Sequence, residues 1–291
     1  MKSILKKTAV AAALSLAFAG SAFAQATMSN GSLTVKLDAS GNIDTSVIGA
    51  AGMNYLGTEY VNWGSPSSFY WLTTDAPAGS YLAHYGSVPL PGSVTSSAGA
   101  TAATTFSFSD LVVTMLHVLT QPNQYTNTVS ITNPFGGALG AVSGVKWSVG
   151  FDPDQGIPHG AGFSTTNKIT GVGGGAAVTA SAPGSAPVTL ANTTSAGAFL
   201  VKGYVAPGCC SAWDGATVLA GGQGLGYTSV GDQDIALGYD LGTLADGGTV
   251  SFGYSYTFAT AVPEPETYAM LLAGLGLMGF VIRRRRGQTV A

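Results

Sequence analysis

The segment Thr249–Phe258 alternates Val250, Phe252, Tyr254, Tyr256 and Phe258 with Thr, Ser and Gly. Successive side chains of a strand point to opposite faces, so one face of this run is apolar and aromatic and the other small and polar. Such a strand must lie on a second apolar layer. Residues 32–38 repeat the pattern with Leu33, Val35 and Leu37, and residues 128–132 with Val129 and Ile131. Turn residues separate such runs: Ser40-Gly41-Asn42, Asn133-Pro134, Gly136-Gly137 and Asp246-Gly247-Gly248. No long amphipathic helix pattern interrupts them. The expected fold of the body is all-β, a β-sandwich of many short strands. Residues 91–105 and 171–187, built from small residues, could serve as linkers but are expected as long loops or edge strands within it, the second with a candidate strand at Ala177-Val178-Thr179.

Charge is scarce and unevenly placed. Only 9% of the 291 residues are charged, and 42 are glycine. Lys2, Lys6 and Lys7 open the chain, and Arg283, Arg284, Arg285 and Arg286 nearly close it. Residues 25–261 carry four lysines against twelve acids, a net charge of −8. An acidic body without arginine has no footprint for nucleic acid.

Both ends read as addresses. After the basic start comes an apolar run from about Ala9 to Ala19, then Ala22-Phe23-Ala24 ahead of Gln25. This is the pattern of a secretory signal peptide over residues 1–24, forming a signal helix and cut before Gln25 at the Ala22-x-Ala24 site. At the other end, residues 267–282 carry no charge and span about 24 Å as a helix. That is short for a hydrocarbon core of about 30 Å, but flanking arginines snorkel and bilayers thin locally. A single C-terminal transmembrane helix is expected, with the arginines on the cytoplasmic side. Pro263 and Pro265 hold Glu264 in a stiff, non-helical segment just outside the membrane. Gly274-Leu275-Gly276-Leu277-Met278-Gly279 matches a dinucleotide fingerprint in letters only, since no βαβ unit follows it.

The Val262-Pro263-Glu264-Pro265 motif, the short apolar helix and the arginine cluster closely resemble the PEP-CTERM sorting signal of exported proteins in Gram-negative bacteria, many of which make exopolysaccharide. The resemblance covers about 25 residues and says nothing of the body. It implies an exosortase, a membrane-embedded, cysteine transpeptidase-like enzyme, as partner. Pro263, Glu264 and Pro265 would be its recognition motif, and Arg283 to Arg286 the cytoplasmic stop. The implied route crosses the inner membrane, passes through a transient anchor and ends at the cell surface or extracellular matrix. The chain then divides into a signal peptide (1–24), an extracellular body (25–261), a sorting signal (262–286) and a cytoplasmic tail (287–291).

Within the body, Asp152-Pro153-Asp154-Gln155-Gly156 follows a strand pattern. Two acids one residue apart before a glycine turn offer the carboxylate and carbonyl oxygens that Ca²⁺ takes. Gln155 and the missing distal Glu exclude an EF-hand loop. Asp and Pro are also ordinary turn residues. Asp232-Gln233-Asp234 has the same spacing, and the two pairs would suit a glycosidase if they converged. Calcium is thus the one candidate ion, and no cofactor is required. Cys209-Cys210 is the only cysteine pair, a candidate for a local disulfide in an oxidising compartment, with free thiols or bonds to other chains as alternatives. The histidines His84, His117 and His159 are scattered; His159 lies close in sequence to the first acid pair. Trp63, Tyr70 and Trp71, in an aromatic stretch, are candidates for stacking on sugar rings or for the core. Nucleophile and zinc motifs are missing. The expected function is a non-catalytic surface or matrix protein associated with exopolysaccharide. A secreted polysaccharide hydrolase or lyase and a self-assembling surface protein are the alternatives.

Overall fold

The structure, a computed structural model, describes residues 25–259 except 47, 49–51, 66, 76–77, 85–89, 91–92 and 196, together with 270, 272–275 and 277–278. The signal segment with Ala22 and Ala24, the Pro263-Glu264-Pro265 motif, most of the apolar run and all four terminal arginines lie outside the described residues. Among the described residues, no helix is long and apolar enough to cross a membrane. The body is one compact unit ending at Ala259.

The body is predominantly β. A nine-stranded antiparallel sheet runs in the order β16 (Thr228–Gly231), β12 (Thr165–Gly171), β13 (Ala177–Ser181), β14 (Val188–Asn192), β18 (Thr249–Phe258), β10 (Gln124–Thr132), β9 (Leu111–Gln121), β8 (Thr101–Phe108) and β7 (Val94–Ala98). A five-stranded sheet runs β15 (Leu200–Val205), β17 (Ile235–Leu244), β11 (Val142–Phe151), β5 (Ser68–Thr73) and β6 (Ser80–Ala83). A small sheet of β1 (Ala26–Ser29), β2 (Leu33–Leu37), β3 (Met53–Tyr55) and β4 (Thr58–Glu59) adds to the same core.

The alternation seen in the sequence sets which faces meet. Phe252, Tyr254, Tyr256 and Phe258 of β18 are buried, as are Leu33, Val35 and Leu37 of β2 and Val129 and Ile131 of β10. Rings carry the contact between the two large sheets. Phe252 meets Trp147 of β11 at 5.7 Å and Tyr239 of β17 at 4.7 Å between centroids, and Tyr256 meets Phe151 at 5.4 Å. Gly203 of β15 lets the sheets close, because a Cβ there would sit 2.8 Å from Val178 Cγ2 of β13. A buried polar network crosses this core. His117 lies 2.6 Å from the Tyr125 hydroxyl, and Asn127 donates to the Tyr254 hydroxyl at 2.8 Å. Burial pushes the His117 pKa down to about 3, so the ring is a neutral core group.

The small-residue stretches are ordered more than expected. In the first, Val94–Ala98 is the edge strand β7, in a hairpin with β8. Strand β13, in the second small-residue stretch, is neither loop nor edge: it pairs with β12 on one side and β14 on the other. A seven-residue helix, α1 (Gly215–Gly221), covers Phe69, Tyr204 and Ala236 on the outer face of the five-stranded sheet. Asp214 caps it, accepting from Ala216 N at 2.9 Å and Thr217 N at 3.0 Å.

Candidate functional site

Two connections between the large sheets run side by side. β11 and β17 are neighbours in the five-stranded sheet, with Phe151 opposite Ile235. β12 and β16 are neighbours in the nine-stranded sheet, with Thr165 opposite Gly231. The chain crosses from β11 to β12 through Asp152-Pro153-Asp154-Gln155, and from β16 to β17 through Asp232-Gln233-Asp234. Antiparallel register therefore brings both Asp-x-Asp segments to the same end of the body. β15 also ends there, since Val205 lies opposite Ile235, and Cys209 and Cys210 follow it. β5 begins there, with Ser68 opposite Phe151.

The backbone fixes the segments tightly. Asp152 N donates to Ser67 O at 2.9 Å, Asp154 N to Tyr60 O at 2.9 Å, and Asp234 N to Gly208 O at 3.2 Å. The side chains converge: Asp152, Asp154 and Asp232 each place a carboxylate oxygen within 4.8 Å of the other two. Asp152 is 2% exposed and Asp154 1%, while Asp232 is the most accessible of the three. Asp234, fully buried, borders the cluster; its Oδ2 accepts from Trp213 Nε1 at 3.0 Å and Ser211 N at 3.3 Å.

The electrostatics are unfavourable as they stand. Four of the body's twelve acids meet here, and none forms an ion pair; among the described residues the recorded pair is Lys36 with Asp44, at 3.0 Å. Burial, reinforced by the neighbouring aspartates, pushes Asp152 up to about 9 and Asp154 up to about 8. Burial pushes Asp234 up to about 6, against the opposing Trp213 and Ser211 hydrogen bonds, and also raises Asp232. The Oδ1 atoms of all four are buried without a hydrogen-bond partner. So are both amide atoms of Gln155, which is fully buried beside Asp154. Buried charges of one sign must be neutralised by protons or by a cation.

Cys209 and Cys210 are joined by a disulfide, with their Cα atoms 3.8 Å apart. Cys210 takes the left-handed backbone conformation, φ 69°. Its Sγ lies 3.8 Å from Asp152 Oδ2. A disulfide sulfur carries no proton, so this contact leaves Asp152 without a donor there. The disulfide forms a wall beside the acids.

Other sequence candidates fall elsewhere. His159 is exposed, and its Nε2 lies 3.0 Å from Thr58 Oγ1 rather than in the acid cluster. Tyr70 is 1% exposed and stacks on Trp147 at 4.8 Å, so it offers no face to a sugar. Trp63 and Trp71 are half-buried; Trp63 Nε1 donates to Glu59 O at 3.3 Å. Sequence reasoning noticed each Asp-x-Asp pair but not Gln155 as a partner of the site, nor Trp213 and Ser211 as donors to Asp234. Register joins these residues, and no local signal announces it.

Comparison with known proteins informs the tail more than the body. No curated protein matches the sequence. Among solved structures, a polysaccharide lyase aligns over 81% of this chain with a TM-score of 0.41 and 12% identity. The chain spans only 34% of that lyase's length. Residues 261–286 match the PEP-CTERM protein-sorting motif, the mark of exported proteins that an exosortase processes at the membrane. No family model identifies the body; the chain carries a PEP-CTERM sorting signal at its C-terminal end.

Proposed function

We propose that the chain is an exosortase-sorted protein of a Gram-negative surface or extracellular matrix, whose β-sandwich body associates with exopolysaccharide without catalysing a reaction on it. In this reading residues 1–24 direct export and are removed. Residues 267–282 hold the precursor in the inner membrane, with Arg283 to Arg286 as the cytoplasmic stop. Exosortase then acts at Pro263-Glu264-Pro265.

The outer face of the nine-stranded sheet carries the reading. Cross-strand register lines up Thr105, Thr114, Ser130 and Ser251 in one row, and Ser107, Val112, Thr132 and Thr249 in the next. Ser130 and Ser251 hydroxyls are 2.8 Å apart, and those of Thr132 and Thr249 2.9 Å. These rows are neutral and rich in hydroxyls, which suits a neutral glycan whose own hydroxyls exchange hydrogen bonds with it. The burial of Asp152 and Asp154 weighs against hydrolysis: their spacing would allow acid and nucleophile roles, but a sugar ring needs access that residues 1–2% exposed do not give.

The test is cosedimentation of the protein with exopolysaccharide from the producing cells, for the parent and for Thr114→Lys with Ser130→Lys. Saturable binding, weakened at least about tenfold by the lysines, supports the reading; tenfold corresponds to about 1.4 kcal/mol. Release of reducing ends would replace it with the hydrolase. Concentration-dependent oligomers without glycan binding would replace it with self-assembly.

A further inference from the structure

We propose that the crossing β11–β12 and β16–β17 connections build a Ca²⁺ site, with Asp152, Asp154 and Asp232 as carboxylate ligands and Asp234 and Gln155 completing its oxygen-rich surroundings. The inference stands independently of glycan association.

Two separate observations point to a cation. The first is convergence: three carboxylates from two distant segments meet within 4.8 Å, and among the described residues no lysine or arginine forms an ion pair with them. The second is the orphaned polar groups. The Asp154 carboxyl is 1% exposed, points into the cluster and has an Oδ1 without any donor. Gln155, 0% exposed, leaves its Oε1 and Nε2 unpaired in the same connection. Orphaned buried polar atoms occur singly elsewhere in the body, as at Trp147 Nε1 and Asn127 Oδ1, but in these two connections they fall together on Asp152, Asp154, Gln155, Asp232, Gln233 and Asp234. Unpaired buried groups are costly enough that a cluster of them calls for a partner.

The donor set selects the ion. Carboxylate and amide oxygens are hard ligands, and Ca²⁺ accepts them in irregular arrangements at coordination numbers of about 6–8. Mg²⁺ demands a near-octahedral shell and gives up water reluctantly. The sulfurs of Cys209 and Cys210 are bonded to each other and supply no thiolate, so Zn²⁺ lacks its usual ligands. Bound Ca²⁺ would tie the β11–β12 connection to the β16–β17 connection, where both cross between the two sheets. Its stabilisation would come from binding the folded state alone, since the two segments are 80 residues apart in sequence and meet only when β11 and β17 pair.

Terbium luminescence and radioactive calcium binding test this on the purified full chain. Trp213 donates to Asp234 at 3.0 Å, so its indole is placed to sensitise Tb³⁺ at the site. The expected results are Tb³⁺ emission on tryptophan excitation that Ca²⁺ displaces and Mg²⁺ does not. About one Ca²⁺ should bind per chain, with Tm raised by roughly 5 °C at saturation. Asp154→Asn and Asp232→Asn should each weaken Ca²⁺ binding at least about tenfold, while Asp240→Asn, outside the cluster, should not. Trp213→Phe should dim the emission but retain calcium binding. No calcium binding by the folded parent, with the same Tm in calcium and chelator, would overturn the proposal. Equal competition by Mg²⁺ would overturn the choice of ion.

Discussion

Glu59 and the Asp152–Asp154 pair are both buried carboxylates, 4% and 1–2% exposed, yet the fold treats them in opposite ways. Glu59 accepts four backbone N–H groups: Gly52, Met53 and Val61 at 3.1 Å and Asn62 at 3.2 Å. Burial still pushes its pKa upward, but those four donors oppose the shift. Asp152 and Asp154 have no such cradle. Their own backbone N–H groups point away, to Ser67 O and Tyr60 O, and other acids surround their carboxyls. A carboxylate that the fold means to keep for itself is wrapped in donors. One left without donors, among its like, is arranged for something positive.

The strongest break of this contrast is Glu59→Ala. It strands four N–H groups, and urea denaturation should show a loss of about 3–5 kcal/mol, the same in calcium and in chelator. A calcium-dependent loss would mean that the two regions are not separate. Chelation of the parent comes next. Removing Ca²⁺ should lower stability by about 2–3 kcal/mol relative to saturation, seen as an earlier urea midpoint with an unchanged slope.

The third effect is on pH dependence in chelator. Folded Asp152 and Asp154 keep their protons up to about 9 and about 8, whereas unfolded aspartates lose them near about 4. The folded state then binds more protons across that window, so stability falls as pH rises from about 4 to about 9. Thermal melts across this range should show the decline without Ca²⁺ and a flatter profile with it. The smallest effect is expected from Cys209→Ser with Cys210→Ser. A bond between adjacent residues closes a minimal loop, so its loss should cost only about 1 kcal/mol of global stability. A much larger loss would assign the disulfide a role in holding the acids in place.

Much of the β architecture was legible because alternation is local: the buried faces of β2, β10 and β18 follow residue by residue from sequence. Strand β13 was partly legible: Ala177-Val178-Thr179 reads as a strand, but it has too little bulk to show that it lies inside the sheet and not at an edge. Helix α1 was missed because Gly215–Gly221 is too short to show a period, although Asp214 before it is a usable capping signal. Tyr70 and Trp71 look alike in sequence, but one-residue alternation sends Tyr70 into the core and leaves Trp71 half-buried outside. The acid site was half legible. Each Asp-x-Asp pair stands out, but their meeting depends on β11 pairing with β17 and β12 with β16. Pairing across 80 residues is a property of topology, and no window of sequence contains it.

The most direct measurement is the stability of Asp154→Asn against the parent, by urea denaturation in calcium and in chelator. Without Ca²⁺, at neutral pH, Asp154 must take up a proton on folding, a cost that Asn does not carry, and a gain of about 1 kcal/mol is expected. With Ca²⁺ it removes a ligand, and a loss of about 1–3 kcal/mol is expected. A change of sign between the two conditions is what a cation site predicts. The same gain in both would contradict it and leave the cluster as acids that neutralise one another by holding protons.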